Sequence, residues 1–338
     1  MTNTLPTALV LAAGLGTRLR PLTLCRAKAA VPVAGVPLIC RHLKRLTEQG
    51  VDDVVINLHH RPDTIAAVVG DGCSLGCRVR FSWERVALGS AGGPRHALPL
   101  LGQRFILLNA DTLCNVNLEA LLDTHLSRGA SVTLAVTKNP APHHYGGVLI
   151  DANGWVKEFA KAGDKRQSWH FVGTQVAEAS VFETLADGKP ASSIGGLYDR
   201  LLAHGRQVAT HPIAKRFFDI GTPGDYLATT HAVSAAEGRP LLSVGARTSV
   251  HPTAHVKRSV LWDDVVIGAD CVVTDCVICD GVHLPRGSVL TGQAVVRVPP
   301  IREYLSPETD ATREGELLTI AIKSRMLKSP DANAGGHP

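Results

Sequence analysis

The sequence predicts an α/β fold, with a doubly wound, mostly parallel sheet covered by helices on both faces and followed by a short left-handed β-helix. Three observations lead there. Apolar runs of strand length alternate with helix-like stretches from Thr7 to about Thr137, the pattern of parallel strands buried on both faces. Past Pro140 the strand-like runs shorten and become more polar, as in a partly antiparallel lobe. From Val244 an aliphatic residue returns about every six positions among Gly, Ala and Asp, the rhythm of hexapeptide coils.

Each element has its own signal. ALVLAA from Ala8 reads as the first buried strand. PLICRHLKRLTEQG from Pro37 reads as a helix, with proline in its first turn and Gly50 just past its end. DDVVINL from Asp52 is the next strand, DTIAAVVG a helix stopped by Gly70, and RVRFSW a further strand. A short helix is expected around His96, and FILLNAD from Phe105 is an apolar strand stopped by Asp111. NLEALLDTHLSRG then forms a helix ending at Gly129, and SVTLAVT a strand. YGGVLID, WVKEFA and WHFVGTQVAE build the second lobe, which could close over a substrate. Helices around Leu197 to Ala203 and Tyr226 to Ala236 flank the strand KRFFDIG. Trp155, Trp169 and Phe171 read as packing residues of these strands.

Gly238, Arg239 and Pro240 form a linker, so domains are expected over residues 1–238 and 239–298, with an irregular, partly disordered tail over 299–338 ending in SPDANAGGHP. Within the second domain, Val244, Val250 and Val256 are six apart, whereas the spacing narrows to five between Val272, Val277 and Val282. About three coils are expected, the lower limit for stacked repeats. An antiparallel meander is the alternative.

At 338 residues the chain has the length of two domains. Lys and Arg outnumber Asp and Glu by 35 to 30, an excess too small and too dispersed for nucleic-acid binding but suited to a small anionic substrate. No apolar run approaches the roughly 20 residues that cross a bilayer, so no membrane association is expected and the protein is placed in the cytoplasm. Eight scattered cysteines do not form a disulfide framework, and Cys276 and Cys279 lack a second pair to complete a zinc site. The histidine pairs at His59 and His143 lack a third ligand and receive no role.

The chemistry is concentrated in LAAGLGTRLRPLTLCRAKAAVPVAGVPLI, from Leu11 to Ile39. A buried strand runs into Gly14, Gly16, Thr17 and Arg18, where glycines let backbone amides approach an anion and Arg18 offers a fork of donors. A dinucleotide fingerprint would need a third glycine where Leu19 stands and an acidic residue about twenty positions on. A phosphate loop of the GK[ST] kind is also missing. What is left suits a triphosphate.

This segment resembles the signature of the sugar-1-phosphate nucleotidyltransferases, AxGxGTRLxPLT followed by a lysine, here Lys28, and by PVxxxPL. The resemblance covers about Thr7 to Ala236 and extends to the β-helix of members similar to mannose-1-phosphate guanylyltransferase. It implies a Rossmann-like fold and transfer of a nucleotidyl group from an NTP to a sugar 1-phosphate, with release of pyrophosphate. It also implies that Arg18 contacts the departing pyrophosphate and Lys28 the phosphoryl oxygens, while Ala12, Ala13, Gly14, Gly16 and Thr17 border the nucleotide. ERVALGSAGG looks like the loop that holds base and ribose, which implicates Glu84, Gly89 and Ser90. NAD at Asn109 to Asp111 and FDIGTPGDY resemble the segments whose aspartates, here Asp111 and Asp219, hold Mg²⁺. Read alone, an aspartate at such a strand end would be a turn residue. YGGVLID and FVGTQ look like the sugar-contacting strands, implicating Gly146, Gly147 and Thr174.

Two positions depart from the family pattern. Ala27 replaces the proline that usually precedes the lysine, and FAKA replaces FxEK, which puts Lys161 and Ala162 where glutamate and lysine are usual. Lys161 is then the nearest cation for the sugar's phosphate, with Lys165 and Arg166 behind it. The base is open: GTP with mannose 1-phosphate or a related sugar is favoured, and uridylyltransferases share much of the loop. A regulatory homologue without catalysis and a hexapeptide acyltransferase are the competing functions, and a homo-oligomer is a possible assembly.

Overall fold

The computed structural model describes residues 5–205, 207–214, 217–297 and 311–323. These residues include a nine-stranded sheet. Its first strand, Ala8–Leu11, lies between Asp53–Leu58 and Arg104–Asn109, parallel to both, and Arg78–Trp83 continues the parallel part to the edge. Ala8, Leu9 and Val10 are wholly buried, as strands covered on both faces require. The chain thus crosses to one side of Ala8–Leu11 and then returns to the other, so the ends of three neighbouring strands open a crevice at this switch point. The register places Leu11 level with both Asn57 and Asn109.

Beyond Arg104–Asn109 the sheet turns antiparallel through Trp169–Glu178, which also pairs with Val132–Lys138; Gly147–Ile150 and Val156–Ala160 extend this lobe. Trp169 and Phe171 pack on the apolar cluster of this side, and Trp155 lies under the Arg128 guanidinium at 5.2 Å. A second ladder pairs Thr112–Cys114 with Phe217–Asp219, setting Asp219 opposite Thr112.

The repeats after Val244 form parallel ladders on three faces, which settles the choice between β-helix and meander. Val260 pairs with Val277 and Val277 with Ala294, Val266 with His283, and Val272 with Val289. Every step is seventeen residues, so two six-residue sides and one five-residue side make a coil; the step from Val272 to Val277 is the short side, whereas the second expected five is not a side, because His283 and not Val282 stands opposite Val266. Leu261, Ile267, Val273, Ile278 and Leu284 point into the coil. Left-handed corner residues include Arg247, Arg258, Asp264 and Asp275. The side chains at these corners pair across successive coils, Arg247 with Asp264 at 2.6 Å and Arg258 with Asp275.

Contacts divide the chain at Asp219, with Ile220 onward and the short segment Arg18–Cys25 forming a second compact unit. The sequence boundary at Gly238 marks the start of the repeats instead. Helix Pro223–Ala236 belongs with the β-helix by contact because Tyr226 accepts a hydrogen bond from Trp262 Nε1 at 3.0 Å in a fully buried contact. Part of the tail expected to be irregular is ordered: Ala311–Glu314 and Leu317–Ala321 form a hairpin whose second strand pairs antiparallel with Gln293–Arg297. The alternating residues of LLTIA supply its inner side, with Leu318 buried. The segment SPDANAGGHP lies outside the described residues.

Candidate active site

The strand ends at the switch point surround a cleft of about 220 Å³ lined by Ala12, Ala13 and Gly14 on one side, Glu84, Gly89 and Ser90 on another, and Lys28 and Asp111 as its opposite charges. Segments far apart in the chain therefore converge as the motifs imply. Lys28 Nζ stands 2.7 Å from Asp111 Oδ2, the lysine side chain 14% and the aspartate 35% exposed. Lys28 is held by the turn Lys28–Ala30, whose preceding residue, Ala27, is fully buried and donates its amide to Thr64 Oγ1 at 3.0 Å. Proline at that position could not make this bond, and the departure at Ala27 is thereby accounted for.

Asp111 follows Ala110, whose carbonyl accepts from His42 Nε2 at 3.1 Å. Burial, and secondarily the Arg45 charge, depress the His42 pKa to about 4, so the imidazole is neutral and donates as a fixed tautomer. The pairing of Phe217–Asp219 with Thr112–Cys114 brings the second aspartate to the strand position beside Asp111. Two carboxylates together with substrate phosphates form the usual donor set for Mg²⁺, so these residues fit a hard divalent cation. Among the described residues no group of three or more His, Cys, Asp or Glu is arranged around a metal position.

The segment from Glu84 into the first turn of the helix Gly89–Ala97 is gripped on both sides. Glu84, 1% exposed, accepts from Leu88 N at 2.8 Å and from Asn57 Nδ2 at 2.7 Å. On the other side Ala191 O accepts from the amides of Ala91 and Gly92, and Ala191 N donates to Leu88 O. Ser193 donates to Ser90 Oγ from both its amide and its hydroxyl, each at 2.9 Å. The glycines follow from this crowding. A Cβ on Gly92 would stand 2.5 Å from Lys189 O, and one on Gly93 would stand 2.7 Å from Glu84 Oε1. Gly89 has φ +78° and would meet Ala191 O at 2.8 Å.

Asn57 and Ser193 were not singled out from the sequence. Asn57 is a buried amide at the end of the apolar run VVIN, and that lone polar residue was the available signal; Ser193 carries none. Asn57 Oδ1 accepts from the amides of Ala12 at 2.6 Å and Ala13 at 3.2 Å.

Of the other expected residues, Gly16 is in the left-handed region and Thr17 and Arg18 are exposed on the turn Thr17–Leu19. Gly146 is exposed, whereas Gly147 is buried, where a Cβ would collide with Ser168 at 2.5 Å. Thr174 is 6% exposed and borders a small cavity with His42, Arg45 and Gln49 instead of the cleft. Lys161 is exposed just past the strand Val156–Ala160, whose pairing slips between Val156 and Glu158. Arg166 is held by Asp164 at 2.6 Å and Glu158 at 2.9 Å.

A cleft bounded by glycine-bearing segments at a sheet switch point, with a lysine and an aspartate lining it, has the make-up that binding of a nucleoside phosphate requires. A model of the nucleotidyl transferase family matches residues 7–235, and one of the GlmU-like C-terminal hexapeptide matches residues 231–294. The chain belongs to the nucleotidyl transferase family. It is 31% identical over 297 residues to mannose-1-phosphate guanylyltransferase of Mycobacterium tuberculosis, covering 84% of this chain and 82% of that protein. It is also 31% identical over 300 residues to probable mannose-1-phosphate guanylyltransferase 3 of Oryza sativa subsp. japonica, covering 84% and 81%. The crystal structure of HddC from Yersinia pseudotuberculosis shares the fold with a TM-score of 0.60 and 23% identity, covering 68% of this chain and all of that one.

Proposed function

We propose that this enzyme transfers the guanylyl group of GTP to mannose 1-phosphate or a closely related sugar 1-phosphate, releasing pyrophosphate. The observation that carries the proposal is the meeting of Lys28 and Asp111 in a cleft walled by the loops at Ala12 to Gly14 and Glu84 to Ser90. The names of the relatives support the choice of base and sugar.

Two polyanions must approach in such a reaction, and unit charges about 4 Å apart repel by about 4 kcal/mol at an effective dielectric of 20. Lys28 offers an ammonium to the phosphoryl oxygens inside the cleft, and Arg18, by its place in the motif, neutralises the departing pyrophosphate. Asp111 and Asp219 would hold Mg²⁺, which when bound offsets phosphate charge. In-line positioning completes the chemistry without a protein nucleophile. Lys161 serves the phosphate of the acceptor sugar, and Gly146 and Gly147 shape the strand beside it.

All eight cysteines are free, and among the described residues no helix is long and apolar enough to cross a membrane. Both features support a cytoplasmic location. The test is a matrix of the four NTPs against hexose and heptose 1-phosphates, read by pyrophosphate release. The expected maximum is GTP with mannose 1-phosphate; a maximum with UTP or dTTP overturns the choice of base, and no release with any pair favours a regulatory homologue.

A further inference from the structure

Asn57 makes three hydrogen bonds with one side chain. Its Oδ1 accepts the amides of Ala12 and Ala13, on the loop after Ala8–Leu11, and its Nδ2 donates to Glu84 Oε1, on the loop after Arg78–Trp83. The other oxygen of Glu84 takes the amide of Leu88, where the glycine-rich turn begins. Asn57 is 2% and Glu84 1% exposed, so water offers little competition for these bonds and each unmade one would leave a buried polar group unsatisfied. Gly93 packs directly against the pair, a Cβ there falling 2.8 Å from Asn57 Nδ2.

We propose that Asn57 and Glu84 are positioning residues that lock the two walls of the nucleotide cleft into one register. The pair spans from one wall to the other, and Asn57, Glu84, Ala12, Ala13 and Gly89 all line the same cleft. Glu84 therefore acts on the nucleotide through Asn57 and the Leu88 turn. The bonds also occupy the amides of Ala12 and Ala13, so amide donation to the nucleotide from this loop falls to residues beyond Ala13.

The polarity of the bridge makes a reciprocal exchange possible. Asn57→Asp alone sets two carboxylate oxygens against each other where a donor met an acceptor. Glu84→Gln alone leaves one bond of the bridge with two donors facing, since Asn57 Nδ2 and Leu88 N both donate to this side chain. Together the exchange restores every bond: the aspartate at 57 accepts from Ala12, Ala13 and the new amide, and the glutamine oxygen at 84 accepts from Leu88. The net charge of the double variant equals that of the original chain.

This inference rests on the nucleotidyl-transfer reading for its kinetic consequence, and backbone amide exchange of the ligand-free protein tests it separately. Each single variant should raise the KM for GTP about tenfold, the cost of roughly one buried hydrogen bond, while the KM for mannose 1-phosphate changes by less than about twofold. In the same variants the amides of Ala12, Ala13 and Leu88 should exchange about tenfold faster, and the double variant should recover both readouts. Gly93→Ala, which removes no hydrogen-bonding group, should reproduce the loss if the single variants fold poorly. Unchanged exchange at these amides in both single variants, or a double variant no better than either single, would overturn the proposal. If the original chain shows no turnover with GTP, the functional reading fails and the exchange data still decide the bridge.

Discussion

Lys28 and Asp111, 83 positions apart in sequence, meet at 2.7 Å on the floor of the cleft. With the lysine 14% and the aspartate 35% exposed, desolvation offsets most of the Coulomb gain of this pair in folding, so its value lies in holding a cation and a carboxylate at one place.

Replacing Asp111 or Asp219 by Asn should therefore lower kcat by about 10²-fold or more, with the unfolding temperature almost unchanged. Steady-state pyrophosphate release and calorimetry check this together. Near-normal rates in either variant with excess Mg²⁺ would remove that aspartate from the metal site.

Lys161→Ala should raise the KM for the sugar phosphate about tenfold and leave the KM for the nucleotide nearly constant, as loss of one charge-assisted contact predicts. Arg166→Ala should change neither, because its guanidinium is already held by Glu158 and Asp164. A defect in Arg166→Ala with none in Lys161→Ala would transfer the role to the following loop.

Gly92→Ala must displace the Lys189 carbonyl that would lie 2.5 Å from the new methyl. The expected cost is about 1–3 kcal/mol in urea unfolding, with a rise in the KM for nucleotide since the same turn lines the cleft. A variant as stable as the original would show that the segment around Lys189 yields freely.

The neutral, buried His42 ties stability to pH. Its folded pKa of about 4 lies below the ordinary 6.5 because burial penalises the charged ring. The unfolded chain thus takes up the proton first, so stability is complete above about pH 6.5 and is lost as pH falls towards 4. His42→Gln, which can still donate to Ala110, should reduce the difference in urea midpoint between pH 7.5 and pH 5. An identical pH dependence in both proteins would contradict this.

Tyr226→Phe removes the acceptor of the buried Trp262 indole. It should cost about 1–3 kcal/mol in thermal unfolding and leave turnover unchanged, since the chemistry-bearing residues precede the β-helix. A large fall in kcat would give the helix Pro223–Ala236 a part in catalysis.

The parallel strands and the coil repeat could be read from the sequence because each depends on local periodicity: ALVLAA is apolar on both faces, and the valine spacing follows the coil sides as far as Val277. The motifs also picked out Ala12 to Gly14, Glu84, Gly89, Ser90 and Asp111, which the fold brings to one cleft. What escaped depends on partners distant in sequence. Asn57 looks like an ordinary strand residue until the register sets it beside Ala12, and Ser193 acquires a role only when Ser90, 103 positions away, is folded against it. The docking of Pro223–Ala236 was hidden for the same reason, its key contact being a single hydroxyl and a single indole.

The hairpin Ala311–Ala321 changes what the β-helix can become. A stack of parallel coils normally ends in a row of open amides and carbonyls able to recruit another coil of the same kind. Here one of the three faces continues instead into the reversed strand Leu317–Ala321 and then into Ala311–Glu314, which runs with the coils again and carries exposed Arg313 and Glu314. A copy of the molecule arriving end-on meets, on this face, a charged strand edge in place of the next coil. The solenoid therefore carries a charged cap of its own on that face, one of the means by which an open strand edge avoids recruiting a neighbour.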